Sequence, residues 1–113
     1  MVLVNDSLKE DVWKSGGKYG KAIDKIIYNL EMASHFAENQ NQKAAIDKLI
    51  EYYQTGDLRT WDEYCILWAK STKGDIDWIN GFIEVYGDAI GKRASYESCL
   101  LYTSDAADEY DRV

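Results

Sequence analysis

Glu84 and Tyr86, a carboxylate and a phenol two residues apart, form the pair of side chains in this sequence most suited to chemistry. Because side chains alternate along a β-strand, both would lie on one face if this segment is a strand. On such a face the carboxylate can hold a cationic amine, and the phenol can donate a hydrogen bond to a carbonyl oxygen or an oxyanion. The solvent face of an ordinary edge strand has the same spacing, and the spacing alone favours that simpler interpretation.

The sequence motifs of several common enzyme classes are absent from the chain. A zinc site needs three or four Cys, His or carboxylate ligands at workable spacing. The chain has one histidine, His35, and no His-Glu-x-x-His pair. There is no Gly-x-Ser-x-Gly elbow, and the early glycines fit neither common phosphate-binding motif. We therefore predict no metal ligands in this chain and interpret His35 as a surface histidine near the end of a helix.

Composition and charge narrow the class of protein. The 113 residues suffice for one small domain, and 46% hydrophobic with 29% charged residues is typical of a folded soluble chain. The formal net charge of −7 argues against nucleic acid as a partner, because phosphate binding requires a basic surface. No apolar stretch approaches a membrane span, and Met1–Val4 is too short for a signal peptide. With two cysteines, too few for a disulfide framework, we expect a cytoplasmic setting.

Hydrophobic periodicity predicts three helices that are joined by short links and packed as antiparallel neighbours. They are expected to run from about Tyr19 to Ala37, from about Gln42 to Thr55 and from about Trp61 to Lys70. Asn39 or Asn41 is suited to cap the second helix, and Gly56 is suited to end it. Thr60 and Glu63 match a capping box for the third helix.

A single β-strand is predicted after these helices, so the fold class is mainly α with one strand, an α+β fragment. Residues 80–86 are rich in aromatic and β-branched types. Residues 75–79 could form a short helical turn leading in, and Gly87 and Asp88 begin a closing turn. A strand with no partner in its own chain is an anomaly, because its backbone groups stay unpaired. Either it pairs with the weak segment Val2–Val4, or its neighbours lie outside this sequence.

The segment Cys99–Val113 has no capping signal and no period that continues from the preceding residues. It resembles the in-frame translation of an adapter used to prepare libraries for sequencing. We therefore predict that residues 99–113 are artefactual, the alternative being a genuine disordered acidic tail. Residues 1–98 then carry the fold and the function.

The segment Asn80–Asp88, followed by Gly91 and then by Tyr96 and Glu97, resembles a signature of the dipeptidyl peptidase III family. The family pattern is close to Gly-Phe-Ile-Glu-x-Tyr-x-Asp-Pro-x-Gly and is followed by an aromatic–Glu pair. One departure is Ala89, which stands where the family has a proline that would fix φ at the turn. Upstream segments are similar to bacterial members, so the resemblance extends over roughly residues 8–98.

The resemblance implies a fragment of a zinc exopeptidase that releases dipeptides from the N-terminus of oligopeptides. Family members have two lobes, and their zinc motif His-Glu-x-x-Gly-His, together with a second helix that carries Glu-Glu, is missing from this chain. Residues 1–98 would belong to the other lobe, whose β-core binds the peptide as an extra strand. Zinc would then be a cofactor of the full-length parent, and this chain alone would bind none and be inactive. Its partners would be the oligopeptide substrate and the remainder of the parent polypeptide, with neither nucleic acid nor membrane.

Family roles carry over by position onto residues of the strand and its surroundings. Glu84 would bind the free α-ammonium of the substrate, the contact by which an exopeptidase measures the N-terminus. Tyr86 would have a catalytic role, donating near the scissile carbonyl and stabilising the tetrahedral oxyanion. Glu97 matches a further carboxylate of the cleft, and Asn80 is assigned to substrate binding as well. Asp88 is expected to hold the turn rather than to contact the substrate.

A freestanding small helical interaction module, without catalytic activity, is the alternative function. On that interpretation the likeness of the strand to a peptidase signature is accidental. The number of matched positions favours the peptidase fragment.

Overall fold

The computed structural model describes residues 1–84, 87–91 and 94–102. Its elements in chain order are β1 (Val2–Val4), β2 (Ser7–Lys9), α1 (Gly20–His35), α2 (Gln40–Thr55), α3 (Leu58–Lys70), β3 (Ile76–Glu84) and β4 (Ser95–Tyr102). Three helices with short strands confirm the predicted fold class. The chain divides into two compact units, one of residues 1–72 and one that starts at Lys73.

The core of the first unit lies where α2 packs against both α1 and α3. The apolar stripes that define the helices in the sequence provide this core, and its most buried side chains are Ile23, Ala45, Ile46, Leu49, Tyr53 and Tyr64. Full burial of a large apolar side chain contributes roughly 1.5–3 kcal/mol, so the stripe of α2, which meets both neighbours, is the main source of stability in this unit.

The ends of α2 follow the predicted capping chemistry. The side chain of Asn39 accepts a hydrogen bond from the backbone N–H of Gln42 at 2.9 Å. At the other end Gly56 has a φ of 69° and donates its N–H to the carbonyl of Tyr52 at 2.7 Å. A left-handed backbone at this position is easily adopted by glycine, so the predictions for Asn39 and Gly56 are confirmed.

The third helix begins earlier than the capping box of Thr60 and Glu63 predicts. Asp57 is the cap of α3, and its carboxylate accepts the N–H of Arg59 at 2.9 Å. Thr60 is buried within the first turn, so it does not cap the helix. The prediction was wrong because the sequence offers two competent capping residues, and the earlier one lets the helix gain most of a turn.

The N-terminal residues of the chain contain a short β-hairpin. β1 pairs antiparallel with β2, and Val4 lies opposite Ser7. The two residues between them, Asn5 and Asp6, both have positive φ, at 49° and 62°. This is the geometry of the two-residue turn that favours hairpins. Among the described residues, this hairpin forms a two-stranded sheet of its own, so the suggestion that Val2–Val4 pairs with the later strand is wrong.

The connection from the hairpin to α1 is held closely against the end of α2. Ser15 donates its N–H to the carbonyl of Tyr53 at 2.9 Å, and Lys18 donates to the carbonyl of Val12 at 3.0 Å. A Cβ atom built on Gly17 would lie 2.2 Å from the oxygen of Val12. The loop can therefore close only with a residue that has no side chain at position 17.

The second unit contains the antiparallel pair of β3 and β4. Their register runs from Ile76 opposite Tyr102 to Phe82 opposite Tyr96. The expectation of a strand without a partner in its own chain is wrong, since β4 provides one. The suggested helical turn over residues 75–79 is also wrong, because β3 already begins at Ile76.

The segment suspected to be artefactual overlaps β4. Cys99 lies opposite Ile79, and residues 99–102 complete the strand. Residues 103–113 lie outside the described part of the chain. The division of the sequence at residue 98 therefore does not coincide with the end of an element, and the artefactual origin of the segment stays a prediction.

A polar network joins α1 to α2 beside the core. The buried hydroxyl of Ser34 donates to Oδ1 of Asp47 at 2.5 Å. Lys43 Nζ donates to the Ser34 oxygen at 2.9 Å and to Oδ2 of Asp47 at 3.0 Å. Burial acts to raise the pKa of Asp47, but the hydrogen bonds from Ser34 and Lys43 and the charges of Lys43 and His35 outweigh it, so the pKa is lowered.

Gly17→Ala should destabilise the first unit, because its new methyl group collides with a backbone oxygen that cannot rotate away. We expect a loss of roughly 1–3 kcal/mol, the usual cost of overpacking. Gly20→Ala is the matched control, because a Cβ there would meet its nearest neighbour, the oxygen of Lys14, at 3.7 Å. Urea unfolding midpoints of the two variants measure the difference. Equal midpoints would contradict the tight closure of this loop.

Asp47→Asn should flatten the dependence of stability on acid pH. The folded-state pKa of Asp47 lies below its unfolded value of about 4, so its contribution is complete above that pH and is lost as the pH falls through the folded pKa. The side chain is 50% exposed, so we expect under about 1 kcal/mol. Thermal midpoints between neutral pH and acid measure this, with Glu31→Gln as the control. Parallel profiles for wild type and Asp47→Asn would refute the role.

Candidate functional site

The candidate site lies along β3 and β4, where the register fixes the face of each residue. Asn80 lies opposite Ser98, and Gly81 lies opposite Glu97. In an antiparallel pair, opposed residues point to the same face and successive residues to opposite faces. Asn80 and Glu97 are therefore on different faces. Asn80 is 9% exposed, whereas Glu97 is an exposed residue.

The regular alternation of β3 is interrupted just before its last residue. Phe82 lies opposite Tyr96 and Glu84 lies opposite Ser95, so Ile83 is an extra residue in β3. Such a bulge bends the strand and changes the direction in which the following residues are presented. Glu84 thus occupies a defined backbone position at the end of β3, next to a bulge that the strict period of two did not predict.

Tyr86 lies outside the described residues, as does Val85. The predicted common face of Glu84 and Tyr86 therefore stays a prediction from the sequence. What the structure gives is the backbone that leads to them, which is paired with β4 as far as Glu84.

An aromatic pair closes the regular part of the sheet. The rings of Phe82 and Tyr96 are 5.2 Å apart between centroids and meet edge to face at 64°. Aromatic pairs of this geometry contribute about 0.5–1.5 kcal/mol beyond the area that they bury. The contact therefore secures the register on the near side of the bulge.

The described part of the connection between the strands is organised by Asp88. Oδ2 of Asp88 accepts the N–H of Ala94 at 2.9 Å. The carbonyl oxygen of Asp88 accepts the N–H of Gly91 at 3.0 Å, which closes a four-residue turn. The prediction that Asp88 holds the turn is confirmed. Ala89, which replaces the proline of the family pattern, is the second residue of this turn.

The sequence reasoning named Glu97 but missed that it lies in a strand, β4, and it missed the residue before this strand. Ser95 faces Glu84, and Ala94 has a left-handed backbone with a φ of 55°. A signal was present, because the glycines at 87 and 91 separate two segments that both contain aromatic residues. The regular alternation of a half-buried strand is lacking in β4, whose residues are exposed except for Ser95 and Leu101, which are half-buried.

The described residues do not fit a zinc ion. Among them, no three or more His, Cys, Asp and Glu side chains lie together as a set of ligands. His35 is exposed in the last turn of α1, as expected for a surface histidine. Burial raises the pKa of the Cys65 thiol, and the charge of Asp62 adds to this effect, so Cys65 lacks the lowered pKa of a nucleophile. No chemical step can therefore be assigned to a metal held by these residues.

No helix in the described part of the chain is long and apolar enough to cross a membrane. The longest helices, α1 and α2, have 16 residues each and carry charged side chains along their length.

The relatives found by comparison with known proteins share one name. Dipeptidyl peptidase 3 of Nematostella vectensis is 33% identical over 81 residues, which is 72% of this chain and 11% of the relative. The protein of the same name from Dictyostelium discoideum is 30% identical over 81 residues, 72% of this chain and 12% of the relative. Dipeptidyl peptidase 3 of Homo sapiens is 26% identical over 90 residues, 80% of this chain and 12% of the relative. The chain thus spans about one-eighth or less of the length of these relatives.

The family-level comparison covers nearly the whole sequence. The model of peptidase family M49 matches residues 4–107, a range that includes the helices, both strands of the second unit and the Asp88 turn. The signature around Glu84 and Asp88 lies inside this match. The chain therefore belongs to peptidase family M49.

Proposed function

We propose that this chain is the substrate-binding part of a zinc-dependent exopeptidase that releases N-terminal dipeptides from oligopeptides. The observation that carries the proposal is the match of residues 4–107 to a peptidase family, with relatives that are named dipeptidyl peptidase 3. Since the chain spans 11–12% of those relatives, the activity belongs to a longer parent polypeptide. Zinc would be held by residues of that parent outside this chain.

The proposed role of Glu84 is to bind the free α-ammonium of the substrate. A carboxylate is the natural partner of a cationic amine, and hydrogen bonds between charged groups are stronger than neutral ones. The paired backbone of β3 supports this role, because it holds the Cα of Glu84 in a fixed place opposite Ser95. A fixed carboxylate at the N-terminus of the peptide would set how many residues reach the scissile bond.

The proposed role of Tyr86 is to donate a hydrogen bond to the oxygen of the scissile carbonyl. Negative charge develops on that oxygen as the tetrahedral intermediate forms, so a donor there stabilises the transition state more than the bound substrate. The support is the position of Tyr86 in the family signature, two residues after Glu84.

Asn80 and Glu97 complete the proposed set of substrate-binding residues. They lie on opposite faces of the β3–β4 sheet, which limits whether one ligand can contact both. Glu97 is on the face of β4 where Gly81 lies opposite, and it is exposed to an approaching ligand. Asn80 is nearly buried on the other face. One peptide segment lying on a single face of the sheet would therefore reach one of the two residues and not both.

An extended peptide is the kind of ligand that such a strand pair suits. Among the described residues, β3 and β4 pair with each other and with no third strand. A peptide that adds to a sheet as an extra strand is bound through main-chain hydrogen bonds, while side chains provide specificity. We infer an oligopeptide as the partner, with the remainder of the parent covering other surfaces, and we expect no nucleic acid because the net charge is −7.

A cytoplasmic setting is part of the same proposal. It is supported by the free thiol of Cys65, which suits a reducing compartment. The alternative of a freestanding interaction module required an accidental likeness to the peptidase signature. A family match that extends over residues 4–107 weighs against such an accident.

The full-length parent should hydrolyse dipeptidyl arylamides and release intact dipeptides from short peptides, whereas the 113-residue chain alone should do neither. Chromatography or mass spectrometry of the products identifies the released unit, with an Nα-acetylated peptide as the blocked control. Release of single amino acids by the parent would refute the proposed reaction. Zinc-dependent turnover by the isolated chain would refute the assignment of the metal to the rest of the parent.

Glu84→Gln and Tyr86→Phe should have different kinetic effects in the parent. Glu84 contacts the same ammonium in substrate and transition state, so its loss should raise KM about 10-fold to 100-fold with kcat little changed. Tyr86→Phe removes a donor that matters most in the transition state, so kcat should fall about 100-fold to 1,000-fold.

Tyr96→Phe is a matched control for this comparison. It removes a phenol from the facing strand but keeps the ring that contacts Phe82, so both kinetic constants should stay close to wild type. A pure KM effect for Tyr86→Phe would exclude its oxyanion role, and an unchanged KM for Glu84→Gln would exclude ammonium binding.

A further inference from the structure

The connection between β3 and β4 carries one carboxylate that links two separate parts of the backbone. The carbonyl oxygen of Asp88 accepts from Gly91 at 3.0 Å, within the turn of residues 88–91. Its side-chain Oδ2 accepts from Ala94 at 2.9 Å, six residues along the chain. Asp88 therefore ties the turn that follows β3 to the residue that immediately precedes β4.

The residue that receives this bond has an unfavourable backbone. Ala94 has a φ of 55°, in the left-handed region that residues other than glycine, asparagine and aspartate seldom occupy. Such a conformation persists when surrounding contacts hold it. A hydrogen bond from a backbone N–H to a carboxylate is of the stronger, charge-assisted kind. The bond to Asp88 is made by the N–H of Ala94 itself, so it can stabilise the left-handed backbone of that residue.

The backbone of Ala94 determines which residue begins β4. Ser95 follows it directly and lies opposite Glu84, with Ile83 as the extra residue of the bulge. A shift of register by one residue would place a different residue opposite Glu84 and move side chains to the other face. The place of Glu84 in the sheet thus depends on how the chain enters β4.

We propose that Asp88 is a positioning residue whose carboxylate, through Ala94, fixes the bulged register that places Glu84 opposite Ser95. This inference rests on the proposed function only for its catalytic consequence, since the register itself is a property of the chain. Asp88 would act on the substrate through Glu84 and would not contact it.

The first test uses the chain itself and three variants. Asp88→Ala removes the acceptor, and Asp88→Asn keeps a side-chain oxygen at the same position. We expect exchange of the Ala94 amide to be about 10-fold or more faster in Asp88→Ala, and the NMR contact between Glu84 and Ser95 to disappear. Asp88→Asn should keep both the slow exchange of the Ala94 amide and the NMR contact between Glu84 and Ser95. Retention of both in Asp88→Ala would overturn the proposal.

The third variant is the double substitution Asp88→Ala/Ala89→Pro, which separates the effect of the carboxylate from the effect of the turn. Ala89 is the second residue of the 88–91 turn, where proline is favoured, so Ala89→Pro should stiffen the turn. The Asp88→Ala/Ala89→Pro pair then keeps the turn but lacks the tether to Ala94, and it serves also if Asp88→Ala alone unfolds. Slow exchange at Ala94 in this pair would show that the turn sets the register and would overturn the role of the carboxylate.

The second test is a double-mutant cycle in the full-length parent. If Asp88 acts through Glu84, Asp88→Ala should raise KM at least about 5-fold in the wild-type background and less than about 2-fold in Glu84→Gln. Asp88→Asn should restore most of the wild-type KM. Equal factors in both backgrounds would overturn the inference. An unchanged KM in Glu84→Gln alone would instead refute the proposed function of Glu84, and the exchange experiment would still decide the register.

Discussion

The pairing of β3 with β4 is the constraint on which the candidate site depends. A strand that stays alone leaves its N–H and C=O groups without partners, and its side chains then have no fixed direction. β4 pairs with the stretch from Ile76 to Glu84 along one edge and fixes its register. The edge-to-face contact of Phe82 and Tyr96 and the hydrogen bond from Ala94 to Asp88 act on the two sides of the bulge. The backbone of Glu84 at the end of β3 is thus placed by strand pairing, and the contacts on both sides of the bulge support this pairing.

The helical unit is held together by packing of apolar side chains rather than by strand pairing. Its core is a set of apolar stripes centred on α2, and the polar contacts lie at the edges of these stripes. Ser34 is one of the buried polar residues of this unit, and its hydroxyl donates a hydrogen bond to Asp47. A buried hydroxyl is costly unless it is hydrogen-bonded, and the Asp47 carboxylate together with Lys43 satisfies it. The pairing of α1 with α2 is therefore specified by shape and also by this one polar match.

How much the sequence could predict depended on the length of each pattern. α1 and α2 extend over several turns, so their apolar period places them within a few residues of their observed bounds. The start of α3 was misplaced because Asp57 and Thr60 both suit a cap, and spacing cannot rank them. The strands of the N-terminal hairpin have three residues each, too few to show a period. The missed sign in the sequence was the Asn5-Asp6 pair, two residue types that tolerate the positive φ found there. In the candidate site, Glu84 and Asp88 could be found from a family signature, and the glycines at 87 and 91 were a signal for a second strand. The bulge at Ile83 arises from tertiary pairing that no local pattern contains.

The left-handed backbone of Ala94 has a consequence for how this connection could vary among related chains. Glycine at this position would adopt the same φ without strain, and the segment would then reach β4 from many directions. An alanine there leaves few conformations open, and of these the one stabilised by a nearby acceptor is selected. Residues 88 and 94 should therefore vary together: a chain with glycine at 94 can dispense with the carboxylate, whereas a chain that keeps alanine needs an acceptor within reach of its amide.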